Sequence, residues 1–310
     1  MEPVPRVALG TFLITDEKVV KHAIKYAIEV CGYRHIDTAS IYRNEKLIGD
    51  VLHEILSEGK IKREELFITS KLSVFDHRPE DVAKAARQSL SDLQCGYIDL
   101  YLNHFPFAFK KDENGGMITH PDGTAVYEHI PLVDTWKAME KLVDDGIVKR
   151  IGVSNFTIEH MEKLRYAQGV RIQPFCNQVE MHLYNQCGPM REYLKSRNIY
   201  IAAYSPLGMS TEFRFKNNLV VMDDPVLNEI AKEMNISPQR LELKFLLQLG
   251  DNVMIVPKSA QDNHIKENIS LDFTISESNM NRLKGCERCY KLFDSQAASN
   301  HDWHISEFRE

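Results

Sequence analysis

Asp37, Tyr42, Lys71 and His104 are four side chains whose types, taken together, suit one reaction. A tyrosine hydroxyl with a free pKa near 10 gives up its proton reluctantly at neutral pH. An ammonium group beside it favours the phenolate and draws that pKa down toward neutrality, turning a phenol into a usable acid. An aspartate would hold the lysine charged and in place, and a histidine can donate a hydrogen bond to a carbonyl oxygen. The set suits protonation of a carbonyl oxygen while a separate donor delivers hydride. Alone, each residue has a plainer use: an ion pair between neighbouring strands, a loop aromatic, a histidine at a strand end.

What lifts the four above those uses is the order of the elements that must carry them. Short apolar, β-branched-rich runs recur at residues 35–39, 66–72, 98–105, 148–156, 174–182, 199–207 and 253–259. Stretches with helical periodicity lie between them. In residues 17–31, Val20, Ile24, Ala27 and Cys31 share one face; in residues 131–146, Leu132, Trp136, Met139 and Val143 do. Gly32, Gly96 and Gly146 each sit between a helix and the next strand, where a left-handed C-cap is expected. Asp76, Asp224 and Ser237 are expected as N-caps, with Pro79, Pro225 and Pro238 in the first turns.

With a first strand within residues 4–12, expected to fold back as an N-terminal β-hairpin cap, about eight βα units result. They predict a (β/α)8 TIM barrel in one domain spanning residues 1–310. An open doubly wound sheet is the competing architecture; it is weakened because no GxGxxG follows the first strand. Two long connections, residues 107–130 and 208–223, are expected to act as substrate and cofactor loops. Polar residues collect at the strand ends: Asp37 with Tyr42 beyond, Lys71, His104, Ser154 and Asn155, Gln178, Tyr204 and Ser205, Lys258 and Ser259. In a barrel those ends meet at one mouth, where barrel enzymes have their sites.

At these residues the sequence resembles the aldo-keto reductases, most nearly the aldose and aldehyde reductase group. The segments that carry the resemblance are HIDTASIY (35–42), FITSKL (67–72), YLNHFP (101–106), GVSNF (152–156), NQVEMH (177–182), AYSPLG (203–208) and VPKS with IKEN (256–268), in family order. The resemblance implies NADPH-dependent reduction of aldehydes or ketones, with Asp37, Tyr42, Lys71 and His104 as the catalytic set. It assigns Ser154, Asn155 and Gln178 to the nicotinamide carboxamide and Tyr204 to stacking on the ring. Ser205 and Leu207 fall along the pyrophosphate, Lys258 and Ser259 at the 2′-phosphate, and Glu267 and Asn268 beside adenine. His264 stands where the family commonly has an arginine. Histidine lacks that permanent planar charge, which leaves NADH use open. Phe12 and Phe105 stand where the aldose reductase pocket usually has tryptophans, and Trp303 is expected to wall the same pocket. A cofactor-binding regulatory barrel with little turnover is the alternative function. A lyase using Lys71 as a Schiff base is disfavoured by its pairing with Asp37.

The bulk properties bound the partners. A net charge of −6 and a pI near 6.1 give no electrostatic reason to expect nucleic acid or an anionic membrane. No apolar run reaches a membrane-spanning length, and residues 1–12 carry neither a basic segment nor an apolar one, so a cytoplasmic location is expected; the family resemblance implies a monomer. The six cysteines are scattered, and the pair Cys286–Cys289 lacks companions for a zinc set. Free thiols and no metal are expected, with a small carbonyl compound as the partner.

Overall fold

The computed structural model describes residues 3–113, 116–208 and 219–292. In chain order the strands are β1 (Leu9–Gly10), β2 (His35–Asp37), β3 (Phe67–Leu72), β4 (Leu100–Asn103), β5 (Ala108–Phe109), β6 (Tyr127–Glu128), β7 (Ile151–Ser154), β8 (Cys176–Glu180), β9 (Tyr200–Tyr204) and β10 (Val253–Val256). The helices are α1 (Glu17–Lys25), α2 (Glu45–Ser57), α3 (Pro79–Leu93), α4 (Leu132–Asp144), α5 (Ile158–Tyr166), α6 (Gly188–Lys195), α7 (Pro225–Glu233), α8 (Pro238–Gln248), α9 (Asp262–Ile269) and α10 (Glu277–Lys284).

Eight strands run parallel in the order β1-β2-β3-β4-β7-β8-β9-β10, with helices between, as a (β/α)8 TIM barrel requires. Parallel bridges Val7–Ile255 and Gly10–Lys258 join the first strand to the last and bring the two edges together. Gly10 permits that closure. A Cβ there would stand 3.2 Å from both Val256 O and Val256 Cγ1. The expected N-terminal hairpin is corrected by this pairing. Residues 3–10 make no antiparallel ladder; Ala8 N donates to Ile255 O and Gly10 N to Pro257 O, so the segment is spent on the seam. The hairpin that does form is β5–β6, inside the long connection after β4.

Local signals explain most boundaries. Gly32 and Gly146, at φ +78° and +71°, end their helices as expected, whereas α3 is closed by the left-handed Gln94 at φ +49° and Gly96, at φ +79°, lies in the turn beyond it. Ser237 caps α8 through Arg240 N, and Asp224 caps α7 through Val226 N and Leu227 N. Asp76 does not cap α3. Arg78 occupies that position, and the Asp76 carboxylate instead pairs with Lys111 at 2.8 Å. The helical face in residues 17–31 divides into α1 and a π-helical turn, Tyr26–Val30.

Three apolar layers follow from strand alternation. Leu9, Ile36, Ile68, Tyr101, Ile151 and Ile255 pack outward against the helices with Trp136 and Leu52. Ala8, Phe67, Leu100, Leu102, Cys176, Ala202 and Met254 fill the barrel interior. Val74, Phe107 and Phe109 form a separate cluster beneath the β5–β6 hairpin, with Phe75, Phe105 and Tyr127 against it. All six cysteines are free; Cys286 is buried against Asp224 and Cys289 is exposed.

Candidate active site

The barrel mouth brings the four expected residues into contact. Asp37 ends β2, Lys71 is the next-to-last residue of β3, and both side chains are buried. Lys71 Nζ donates to Asp37 Oδ1 at 2.5 Å and to Thr38 O at 2.8 Å, and lies 3.4 Å from the Tyr42 hydroxyl oxygen. The second carboxylate oxygen of Asp37 accepts from Gln178 Nε2 at 2.7 Å. One buried carboxylate therefore joins the lysine on β3 to the amide on β8.

Tyr42 is half-buried on a 3-10 turn after β2, with its ring 5.9 Å from that of His104. His104 follows β4 and stacks on Phe105 at 4.9 Å. The His104 ring makes no hydrogen bond to the described residues; its carbonyl accepts from Asn155 Nδ2. Asn155, at φ +62°, also accepts from the Tyr204 hydroxyl at 2.9 Å and donates to Ser154 Oγ. Phe12 lies 5.0 Å from the Tyr42 ring. With Leu13 and Ile41 it is 43–46% exposed, which gives the rim beside Tyr42 an apolar lip.

Electrostatics here differ from the simple expectation for a phenol next to an ammonium. Burial pushes the Tyr42 hydroxyl up; Lys71 pulls it down and Asp37 pushes back, and the balance lies above the ordinary phenol value. The main reason is burial, which disfavours the phenolate; Asp37 adds to it by offsetting part of the Lys71 charge that would otherwise stabilise that form. For Lys71, burial opposes the ammonium, yet the attraction of Asp37 and Tyr42 outweighs it and holds the group above the usual lysine range. Burial, reinforced by Lys71 and His77, holds His104 far below the usual imidazole range. At neutral pH the mouth thus holds a protonated phenol, a charged lysine and a neutral imidazole.

The remaining expected residues fall on the neighbouring strand ends. Ser205, at φ +48°, and Leu207 follow β9. Lys258 is exposed just past β10, level with Gly10, and Ser259 is buried and accepts from Gln261 N. His264, Glu267 and Asn268 lie on α9: His264 is exposed, Glu267 accepts from Ser237 Oγ at 3.3 Å, and Asn268 is buried. Trp303 and residues 209–218 of the long loop lie outside the described residues. Sequence reasoning missed Thr11, Thr38 and Asn44, which knit the loops after β1 and β2. It also missed the hairpin aromatics, although the alternation in FPFAF (105–109) signals a strand.

The family model for the aldo/keto reductase family matches residues 6–288. The chain belongs to that family. It is 41% identical over 285 residues to aldo-keto reductase family 1 member A1 of Sus scrofa, covering 91% of this chain and 86% of that one. It is 37% identical over 303 residues to estradiol 17 beta-dehydrogenase 5 of Mus musculus, at 96% and 93% coverage. Prostaglandin F synthase 1 of Bos taurus is 36% identical over 312 residues, at 96% and 93%. This aldo/keto reductase is an oxidoreductase acting on carbonyl groups, and its family implies use of a nicotinamide cofactor.

The competition at Tyr42 generates a signed prediction. With Tyr42 as the expected acid, protonated at neutral pH, kcat/KM for carbonyl reduction should be level there and fall only on an alkaline limb. Lys71→Met removes a group that lowers the Tyr42 pKa, so that limb should move to higher pH. The variant also strands the Asp37 carboxylate, at a cost of about 3–5 kcal/mol in stability. A limb that stays in place, or moves down, in a folded variant would remove Lys71 from this role.

Proposed function

We propose that this aldo/keto reductase is an NADPH-dependent reductase of aldehydes and ketones in which Tyr42 protonates the carbonyl oxygen. The observation that carries the reading is the contact chain Gln178–Asp37–Lys71–Tyr42, which joins a cofactor-side amide to the acid through one buried ion pair. A bound dihydronicotinamide supplies the hydride. The protein's own residues do the rest. His104, neutral and with no hydrogen bond from its ring to the described residues, donates an N–H to the carbonyl oxygen and fixes its approach. Tyr42 then hands its proton to that oxygen as negative charge develops. Lys71 holds the phenol within reach and steadies the phenolate left behind, while Asp37 keeps the lysine charged.

The donor set at the strand ends fits the cofactor. Ser154, Asn155 and Gln178 offer the hydroxyl and amide groups a carboxamide needs, and the half-buried Tyr204 at the end of β9 supplies an aromatic ring beside them. Lys258, exposed and without a carboxylate partner among the described residues, suits a phosphate, with Ser259 beside it. Ser205 and Leu207 would line the pyrophosphate, and Glu267 and Asn268 the adenine. His264 takes the place of a permanent charge, so NADPH is preferred through Lys258 with a smaller margin over NADH. Phe12, Phe105 and the outlying Trp303 would wall the substrate pocket. With Leu13 and Ile41 at the lip, they favour a carbonyl carried on an apolar body over a polyhydroxylated sugar. We take the chain to work as a cytoplasmic monomer of one domain. Among the described residues no helix is long and apolar enough to cross a membrane, and a single sedimenting species of one chain mass would fit the monomer.

Three measurements test this reading. Tyr42→Phe should lower kcat at least about 10²-fold while the NADPH Kd from fluorescence quenching changes little; retained turnover would end Tyr42's role. In the same titration, Lys258→Met should weaken NADPH about tenfold and His264→Arg tighten it about tenfold, with NADH unmoved in both. Parallel changes for the two cofactors would take these residues away from the 2′-phosphate. Across a substrate panel, kcat/KM should favour aromatic and aliphatic aldehydes over hexoses, and the reverse order would refute the apolar wall.

A further inference from the structure

Asn44 has a side chain committed away from the work its position would give it. It is the residue before α2, where asparagine ordinarily accepts a hydrogen bond from the first helical turn, yet its side chain makes no cap bond. The amide is fully buried and turned toward the mouth instead. Its Oδ1 accepts from Thr38 Oγ1 at 2.9 Å, and its Nδ2 donates to Thr11 O at 2.8 Å and Ile14 O at 2.9 Å. Both amide protons and the oxygen are therefore used, and all three partners lie on the loops that leave β1 and β2.

Those loops hold the reacting groups. The Thr38 carbonyl is one of the three oxygens around Lys71 Nζ, and Tyr42 stands two residues before Asn44. Thr11 is itself tied to β2, donating to Asp37 O through both its amide and its hydroxyl. The next residue, Phe12, faces the Tyr42 ring. The Lys71–Tyr42 contact is the longest of the three at the ammonium, at 3.4 Å, so a shift of a few tenths of an ångström in the Tyr42 turn would break it.

We propose that Asn44 is a positioning residue for the proton donor, holding Thr38 O against Lys71 and fixing the Phe12 loop against Tyr42. It touches neither substrate nor cofactor and acts through Thr38 and Thr11. The proposal rests on the assignment of Tyr42 as the acid and Lys71 as the ammonium that tunes it.

The test compares Asn44→Ala and Thr38→Val with Asn252→Ala. Asn252 is another buried asparagine, donating to Ile199 O between β9 and β10 at the opposite end of the barrel. All three should lower Tm. Only the first two should reduce kcat, by about 10- to 100-fold, and move the alkaline limb of kcat/KM upward as Lys71 loses its hold on the phenol. NADPH Kd by fluorescence quenching should stay within about twofold in each. Thr38→Val keeps a comparable volume and supplies the answer if Asn44→Ala does not fold. An Asn44→Ala or Thr38→Val enzyme with a lower Tm, wild-type kcat and an unmoved limb would overturn the proposal. If Tyr42→Phe is inactive in the same assays, the acid assignment survives that result; if Tyr42→Phe turns over, the assignment itself is what has failed.

Discussion

A lysine and an aspartate taken out of water at the barrel mouth set the terms for everything around them. Burying two unit charges costs several kcal/mol for each ion. That cost is offset only because every side of the pair is occupied. Lys71 has a carboxylate, a backbone carbonyl and a phenol around it, and Asp37 has an ammonium on one oxygen and an amide on the other. These partners come from β2, the turn after it, β3 and β8. None of them is near another in sequence except within the β2 segment, so the pair exists only when the parallel ladder is in register. The pairing of Asp37 with Thr69, two residues before Lys71, sets that register between the two strands.

The same compensation decides the chemistry. An isolated ammonium beside Tyr42 would favour phenolate, but burial outweighs that pull and Asp37 cancels part of the ammonium's field. The hydroxyl therefore stays in its protonated form, the form that the proposed role as acid requires. His104 is kept neutral by burial and by two neighbouring groups, so it offers an N–H without adding net charge to the site. Positive charge is concentrated on Lys71, 3.4 Å from the Tyr42 hydroxyl oxygen, which in the proposed mechanism gains charge after proton transfer.

Much of this was legible in the sequence because it is carried by local signals. Gly32, Gly96 and Gly146, the caps Ser237 and Asp224, and polar residues closing apolar runs each report on a few adjacent residues. Their repetition implies the barrel. What the sequence hid depends on contacts between distant segments. Asp76 looks like a cap until Lys111, in a long connection, takes its carboxylate. Residues 3–10 look free to fold back until β10 pairs with them. Asn44 stands out only once Thr11, Ile14 and Thr38 converge on it. The sign of the Tyr42 shift was hidden for the same reason: it needs the depth of the mouth, which no spacing reveals.

The two-residue strand β1 has a mechanical consequence. A ladder this short offers the barrel little resistance to sliding, and side chains reinforce it at both ends. Below, the Arg6 guanidinium grips the carbonyls of Leu247, Gly250 and Val253. Above, the Asn44 amide grips Thr11 O and Ile14 O. Arg6 thus ties the segment leading into β1 to β10 across the seam, while Asn44 ties the loop after β1 to the segment after β2, so the short strand is anchored to a different neighbour at each end.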